Sequence, residues 1–233
     1  MFRSLDEVAK IIDYTNVKPI ASIADITRLV EETEKYGFYG ICVSPIYVKL
    51  VRDLIRKDVK VISVVSFPFG TSSVKAKIDE GCEAISDGAD ELDIVSCLGY
   101  VKSRRYDLFQ DEIETIVSFF RREYPDIIVK IIVDVPYLSV DECRAVADVI
   151  NDVKPHYFKT STGYAPRGTT IEDVKMFREL LSSDVKIKAA GGIRSFRQVV
   201  DLVFAGASRI GTSTAIRIIE EAKKEIKGGR VGD

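Results

Sequence analysis

The stretch Ile127-Ile-Val-Lys-Ile-Ile-Val133 decides the fold. It is an almost continuous run of branched apolar side chains, which is typical of a parallel strand buried on both faces. Similar short runs recur along the chain and alternate with longer segments of helical pattern. We predict eight strands, over Lys10–Tyr14, Gly37–Val43, Val59–Phe67, Glu91–Cys97, Ile127–Val135, His156–Ser161, Val185–Ala190 and Ser208–Gly211.

The segments between these runs begin with helix-capping patterns. Ser22, Thr170 and Ser195 each lie three residues before an acid or amide, as in a capping box. A strand followed by a helix, repeated eight times, predicts an α/β fold, the closed (β/α)8 TIM barrel, as a single domain over 1–233. An open doubly wound sheet is the alternative, but it calls for a G-x-G-x-x-G turn after an early strand, and the sequence has none.

Composition excludes several classes of function. The chain is 46% hydrophobic and 30% charged with a net charge of -2, so no strong field points to nucleic acid or to a membrane surface. No apolar run approaches the roughly 18 residues that span a bilayer, and the start lacks a signal-peptide pattern, so we expect a cytoplasmic protein. The scattered cysteines and the single His156 offer no zinc set, and we predict no metal. Scarce glutamine and asparagine favour a thermophilic source.

Two lysines end consecutive predicted strands, Lys159 in His156-Tyr-Phe-Lys-Thr-Ser-Thr-Gly163 and Lys188 in Val185-Lys-Ile-Lys-Ala-Ala-Gly-Gly192. An ordinary lysine has a pKa of about 10.4 and is almost fully protonated at neutral pH. A second ammonium about 4 Å away makes the charged form about 4 kcal/mol less favourable at an effective dielectric near 20. The pair therefore predicts one amine poised to form a Schiff base. The alternative is two solvated strand-end lysines.

Carboxylates form a second group of candidates. Period-two alternation puts Glu91 and Asp93 on one face of their strand, and an inward carboxylate there requires a cation, for which the two lysines are available. Asp93 is then either a proton-transfer group or an ion-pair partner without a chemical role. Asp13, in Ile11-Ile-Asp-Tyr-Thr15, has the same two readings.

Glycines at the ends of the last two strands form a third group. Gly191 and Gly192 end the seventh strand before a capped helix, and Gly211 ends the eighth before the last helix. The loops after the seventh and eighth strands form the usual phosphate site of such barrels, with backbone N–H groups and a helix N-terminus facing the anion. We therefore predict a phosphorylated substrate, although glycines also serve tight turns.

These motifs together resemble the deoxyribose-phosphate aldolase family of class I, Schiff-base aldolases. The resemblance covers nearly the whole chain, and its most specific part is Lys-Thr-Ser-Thr-Gly followed by Lys-Ala-x-Gly-Gly-Ile-Arg. The matching segments are Ile12-Asp-Tyr-Thr-Asn-Val-Lys-Pro19, Gly37-Phe-Tyr-Gly-Ile-Cys-Val-Ser-Pro45, Ser66-Phe-Pro-Phe-Gly70, Gly88-Ala-Asp-Glu-Leu-Asp-Ile-Val95, Phe158-Lys-Thr-Ser-Thr-Gly163, Lys188-Ala-Ala-Gly-Gly-Ile-Arg194 and Ile210-Gly-Thr-Ser-Thr214.

The resemblance implies roles for individual residues. Lys159 matches the Schiff-base lysine, Lys188 the lysine that keeps it reactive, and Asp93 the proton shuttle. The implied substrate-binding residues are Asp13, Thr15 and Thr160, and the implied phosphate-binding residues are Gly163, Gly191, Gly192, Gly211, Ser213 and Thr214. Arg167 either reaches a phosphate or is a solvated loop residue.

The implied reaction is reversible cleavage of 2-deoxy-D-ribose 5-phosphate to acetaldehyde and D-glyceraldehyde 3-phosphate, without a cofactor, as a step of nucleoside degradation. The expected partners are the sugar phosphate and the aldehydes, with no nucleic acid and no membrane; a homo-oligomer is one option. Two alternatives stay open: another Schiff-base barrel aldolase with a different acceptor, and a noncatalytic barrel that binds a sugar phosphate.

The chain departs from the family pattern at two places. Tyr14 stands where many relatives have another residue, often histidine, and Val133-Asp-Val-Pro136 replaces a common Glu-Thr-Gly strand end. We expect the first to alter contacts around Asp13 and the second to alter the floor beside Lys159. We expect these departures to affect substrate preference more than the class of reaction.

Overall fold

Eight parallel strands close into a barrel in the computed structural model, which describes residues 2–227. The strands follow one another around the barrel in chain order, and β8 pairs with β1. Their bounds are β1 Ile12–Asn16, β2 Gly40–Val43, β3 Lys60–Val65, β4 Glu91–Val95, β5 Ile128–Ile132, β6 Tyr157–Lys159, β7 Lys186–Ala190 and β8 Arg209–Thr212. The predicted (β/α)8 TIM barrel is confirmed.

Helices follow the strands and form the outer layer. Their bounds are α1 Leu5–Ala9, α2 Ile23–Tyr36, α3 Val48–Leu54, α4 Val74–Ser86, α5 Leu98–Lys102, α6 Tyr106–Glu123, α7 Val140–Val153, α8 Ile171–Leu180, α9 Phe196–Phe204 and α10 Ala215–Lys227. The predicted capping boxes at Ser22, Thr170 and Ser195 are all present and begin α2, α8 and α9. Ser139 forms a further capping box at the start of α7.

The hydrophobic core lies mainly between the barrel and the helices. Outward-facing strand residues such as Leu92, Ile131 and Ile187 pack there against the helices, with almost no exposed surface. The barrel interior is different. Cys42, Ile62 and Val64 on β2 and β3 form a separate small apolar cluster there. Buried charged side chains such as Asp93, Lys130 and Lys188 occupy the inward faces of other strands.

The predicted strands differ from the observed ones by one to three residues at one end or both, and two of these differences have a visible cause. The first begins at Ile12 rather than Lys10, because Lys10 caps the short helix α1, which the sequence analysis missed. The fifth ends at Ile132 rather than Val135. Beyond it, Asp134 takes hydrogen bonds from the loop after β6, and a 3₁₀ turn with Pro136 follows. Side-chain contacts therefore override the apolar pattern there.

Strand register brings the candidate residues into line. Lys159 pairs with Lys188 across β6 and β7, and Asp93 pairs with Lys130 across β4 and β5. The predicted domain span of 1–233 stays a prediction, because Met1 and 228–233 lie outside the described residues.

Candidate active site

A group of buried charged side chains fills most of the barrel interior. We call these seven side chains the charge network: Asp13, Glu91, Asp93, Lys130, Lys159, Lys188 and Arg209. Each points inward because side chains alternate between the two faces of a strand. Each is nearly or completely removed from solvent. Burial of so many ionised groups requires that they pair with one another.

Asp93 lies at the centre of the charge network. Its Oδ2 accepts hydrogen bonds from Lys159 Nζ and Lys188 Nζ, both at 2.7 Å. The two lysines that the sequence analysis paired therefore share one carboxylate oxygen. The predicted ion pairing of Asp93 with lysines is present, while its role in proton transfer stays a prediction.

Lys130 occupies the other oxygen of Asp93 and was missed by the sequence analysis. Its Nζ lies 2.6 Å from Asp93 Oδ1 and 2.6 Å from Glu91 Oε2. Lys130 has no exposed surface. The signal for it was present in the sequence, because it is the one charged residue inside the apolar run 127–133.

Arg209 and Asp13 complete the charge network. The Asp13 carboxylate is 2.5 Å from Lys188 Nζ and 2.9 Å from Arg209 Nη1. Arg209 Nη1 also lies 3.7 Å from Glu91 Oε2, and its guanidinium stacks over the Tyr39 ring at 3.3 Å. Arg209 begins β8, and the sequence analysis did not select it.

The charge network holds its central members in the ionised form. Burial alone raises the pKa of Asp93, but the lysine ammonium groups around it outweigh burial and hold that pKa well below its usual range. Burial disfavours the charge on Lys188, yet the Asp13 and Asp93 carboxylates prevail and raise the Lys188 pKa. The pKa of Lys130 is raised in the same way, against burial, by Asp93 and Glu91. We therefore treat these groups as charged at neutral pH.

A cavity of about 290 Å³ opens above the charge network at the carboxyl ends of the strands. Among the described residues, Lys159 is the one network member that lines this cavity. Its side chain is 4% exposed, whereas those of Asp93, Lys130 and Lys188 are completely buried. A carbonyl compound in the cavity would therefore meet the amine of Lys159 before any other member.

The predicted glycine loops also line the cavity. Its lining includes Gly163, Gly191, Gly192, Gly211 and Ser213. Both glycines of the pair after β7 have left-handed backbone, with φ of 91° and 76°. A Cβ on the first would also lie 3.0 Å from the hydroxyl of Ser161. These loops therefore present backbone rather than side chains to the cavity, as an anion site requires.

Thr214 and Gly211 have visible packing roles. The Thr214 hydroxyl donates to the carbonyl of Ile193, and Thr214 does not line the cavity. A Cβ on Gly211 would lie 3.1 Å from Lys188 Cε, so this glycine makes room for the lysine. Their contacts with phosphate stay predictions.

The three predicted substrate-binding residues occupy different depths. Thr15 lines the cavity and its hydroxyl donates to the Asp13 carbonyl at 2.9 Å. Asp13 and Thr160 are completely buried and do not line the cavity. The Thr160 hydroxyl accepts from the backbone N–H of Ala190 at 3.1 Å and so ties β6 to β7. Contact of Asp13 and Thr160 with substrate stays a prediction.

The departures from the family pattern have structural consequences. Tyr14 points away from the barrel interior and its hydroxyl donates to Glu32 at 2.8 Å, whereas its effect on contacts around Asp13 stays a prediction. Alternation along β1 explains the orientation of Tyr14, because neighbouring residues face opposite sides. Asp134 accepts hydrogen bonds from Ser161 and Thr162, which fixes the loop after Lys159.

Two arginines and a lysine near the mouth of the cavity differ in their placement. Arg167 Nη1 pairs with Asp173 at 2.6 Å, in the capping box of α8, rather than lining the cavity. Arg194 and Lys18 do line it. Lys18 lies inside the first family-like segment, yet the sequence analysis did not select it. Both are cations within the lining of a cavity that we expect to take a phosphate.

Neither a membrane helix nor a metal cluster is present in residues 2–227. No described helix is long and apolar enough to cross a bilayer. The same residues contain no cluster of three or more His, Cys, Asp or Glu side chains placed to hold a metal ion.

Comparisons with known proteins identify close relatives along nearly the full chain. The chain is 39% identical over 222 residues to the deoxyribose-phosphate aldolase of Thermococcus kodakarensis, covering 94% of this chain and 98% of that one. It is 40% identical over 218 residues to the deoxyribose-phosphate aldolase of Aquifex aeolicus, covering 94% and 97%. The solved tetrameric deoxyribose phosphate aldolase of Aeropyrum pernix matches with a TM-score of 0.86 and 31% identity, over 95% of this chain and 93% of that one. No family model matches the chain.

Proposed function

The chain belongs to the deoxyribose-phosphate aldolase family, and from this premise we propose that it cleaves 2-deoxy-D-ribose 5-phosphate reversibly to acetaldehyde and D-glyceraldehyde 3-phosphate. It is an aldehyde-lyase of the family's kind, and the proposal extends to a Schiff-base mechanism on Lys159. One observation carries the mechanism. Lys159, which lines the cavity, shares a single oxygen of Asp93 with the fully buried Lys188.

This arrangement favours loss of a proton from Lys159. Two ammonium groups that compete for one carboxylate oxygen repel each other, by about 4 kcal/mol at 4 Å and an effective dielectric near 20. Lys188 has a second carboxylate, Asp13, at 2.5 Å, whereas within residues 2–227 the salt bridge of Lys159 is to Asp93 alone. Lys188 therefore keeps its proton, and Lys159 becomes the neutral nucleophile.

In the cleavage direction, the Lys159 amine attacks the C1 aldehyde of the open-chain sugar, and loss of water gives an iminium. A base takes the proton of the C3 hydroxyl, the C2–C3 bond breaks, and its electron pair moves into the iminium. D-glyceraldehyde 3-phosphate leaves, and an enamine remains on Lys159. Protonation of the enamine carbon and hydrolysis of the resulting iminium then release acetaldehyde and restore the amine.

We assign the proton transfers to Asp93 and Lys188 together with a water molecule. Asp93 Oδ2 lies 2.7 Å from the reacting amine, and Lys188 provides a charged donor on the same oxygen. The phosphate would lie among Gly163, Gly191, Gly192 and the loop at Ser213, which all line the cavity. No cofactor takes part in these steps.

The proposal also covers partners and cellular context. We propose the sugar phosphate and the two aldehydes as partners, in the cytoplasm, in the degradation of deoxynucleosides. Self-association is part of the proposal and is supported by the tetrameric Aeropyrum pernix relative.

Borohydride trapping tests the mechanism directly. Reduction in the presence of 2-deoxyribose 5-phosphate or acetaldehyde is expected to add substrate mass to the peptide containing Lys159 and to leave Lys188 unlabelled. Lys159→Leu is expected to abolish the adduct. Lys188→Leu is expected to allow trapping mainly at higher pH, because loss of the neighbouring ammonium lets Lys159 keep its proton.

The site of the adduct decides between the alternatives. An adduct on Lys188 would reverse the roles of the two lysines. Cleavage without any adduct would rule out the covalent mechanism, and phosphate binding without turnover would identify a noncatalytic barrel. Comparing cleavage of 2-deoxyribose 5-phosphate with that of fructose 1,6-bisphosphate separates this activity from another Schiff-base aldolase.

A further inference from the structure

The charge network contains one more cation than carboxylates. Its carboxylates are Asp13, Glu91 and Asp93, and its cations are Lys130, Lys159, Lys188 and Arg209. Three negative charges therefore face four positive ones when every group is ionised. The charge network becomes neutral when one cation loses its proton. In a buried site a net charge of zero is favoured, because an uncompensated charge there is costly in free energy.

The ion pairs distinguish one cation of the charge network from the other three. Lys130, Lys188 and Arg209 each lie between two carboxylates. In the described residues, Lys159 has a salt bridge with Asp93 alone, and it lines the cavity. Of the four cations, Lys159 therefore has the fewest carboxylate partners among the described residues.

The other titratable groups around the interior do not change this balance. Burial, followed by the charge of Asp93, raises the pKa of the Cys42 thiol on β2. Burial and Glu91 raise the pKa of Tyr39, whose hydroxyl donates to Glu91 at 2.8 Å. Tyr157, on β6, accepts a hydrogen bond from Arg209. The raised pKa values keep the Cys42 thiol and the Tyr39 hydroxyl neutral at neutral pH.

Charged groups at the two ends of the barrel lie outside the charge network. Asp134 bonds to the loop after β6, and His156 Nδ1 accepts from the N–H of Val129 at the opposite end. Lys18 and Arg194 line the mouth of the cavity. From β3, the interior receives the apolar Ile62 and Val64.

We propose that Lys130 and Glu91 are positioning residues that set the pH range in which Lys159 is the neutral nucleophile. Neither residue lines the cavity. Lys130 reaches Lys159 through the two oxygens of Asp93, and its positive charge favours loss of the Lys159 proton. Glu91, on the far side of Lys130, has the opposite effect. The inference rests on the proposed role of Lys159.

The acid limb of kcat/KM against pH measures this effect, because it reports an ionisation of the free enzyme. Lys130→Met removes a positive charge and is expected to move the acid limb upward by about one to two pH units. Glu91→Gln removes a negative charge and is expected to move it downward by up to about one unit. The double variant restores the original charge balance and is expected to return the limb close to that of the wild type.

A merely structural role for these residues predicts a different result. Loss of packing would lower activity at every pH without moving the limb in opposite directions. Lys77→Met is the matched control, since it also removes a fully buried lysine from a carboxylate, Glu112, but outside the charge network. Its limb is expected to coincide with that of the wild type.

Two outcomes would overturn the inference: limbs that do not move, or limbs that move in the same direction. Glu91→Gln is close to isosteric, so it shows the direction in which the acid limb moves even if Lys130→Met does not fold. Borohydride trapping of each variant across the same pH range separates the two proposals. Absence of a Lys159 adduct in the wild type refutes the proposed function, whereas an adduct with an unmoved pH dependence refutes this inference alone.

Discussion

Two regions of this barrel bury a lysine completely, and they use it in different ways. Lys77, on α4, lies in the layer between barrel and helices and pairs with Glu112 on α6. Its remaining donors go to the carbonyls of Gly70 at 2.7 Å and Val95 at 2.8 Å. Glu112 in turn accepts from the backbone N–H of Cys97 at 3.0 Å. This ion pair fastens the loops after β3 and β4.

In the charge network the cations outnumber the carboxylates, and the network is not shut off from the cavity. Lys159 and Lys188 share one carboxylate oxygen, and the first of them lines the cavity. Burial of a lysine is therefore a poor indicator of chemistry by itself. An excess of cations combined with access to a cavity is the better indicator, because one ammonium must then share its carboxylate with another where a substrate can reach it.

The largest loss is expected for Asp93→Asn, at the centre of the charge network. We expect turnover of 2-deoxyribose 5-phosphate to fall by about two to four orders of magnitude, as is typical when acid–base catalysis is lost. Borohydride trapping should persist, because removing a negative charge also favours the neutral Lys159 amine. Near-normal kcat in the folded variant would mean that Asp93 only forms ion pairs, as Glu112 does.

A smaller and selective loss is expected for Ser213→Asp, which alters the cavity without touching the charge network. The new carboxylate is expected to repel the phosphate and lower kcat/KM for 2-deoxyribose 5-phosphate by roughly 10- to 100-fold. The slow reaction of unphosphorylated 2-deoxyribose should change little. Ser118→Asp adds the same charge to the exposed face of α6 and serves as control. Equal losses for both substrates would remove the phosphate assignment.

The smallest catalytic effect is expected for Lys77→Met, although it removes a fully buried ion pair. The free energy of unfolding should fall by roughly 3–5 kcal/mol, because Glu112 is left buried and unpaired. Denaturant unfolding measures this loss, and the pH dependence of kcat/KM should keep its position. A shift of the acid limb would mean that the two regions are coupled and would break the comparison.

Much of the fold can be predicted from local sequence patterns. The eight apolar runs and the capping boxes at Ser22, Thr170 and Ser195 depend on neighbouring residues, so they are visible without a structure. The order of strands and helices then predicts the barrel, and Lys159 and Lys188 at adjacent strand ends predict that they meet. The strand ends at Lys10 and Val135 were misplaced, because a helix cap and the Asp134 contacts overrode the apolar pattern there.

The partners inside the barrel could not be predicted in this way. Strand parity places Lys130 and Glu91 inside, but only closure of the sheet brings Arg209 from β8 to within 3.7 Å of Glu91 on β4. Closure of the barrel also determines how deep each side chain lies. Asp13 and Thr160 lie below the cavity, while Thr15 reaches it. The sequence by itself therefore determined which residues face inward. The tertiary structure decided which charges share a partner and which amine meets the cavity, because both depend on distances across the closed barrel.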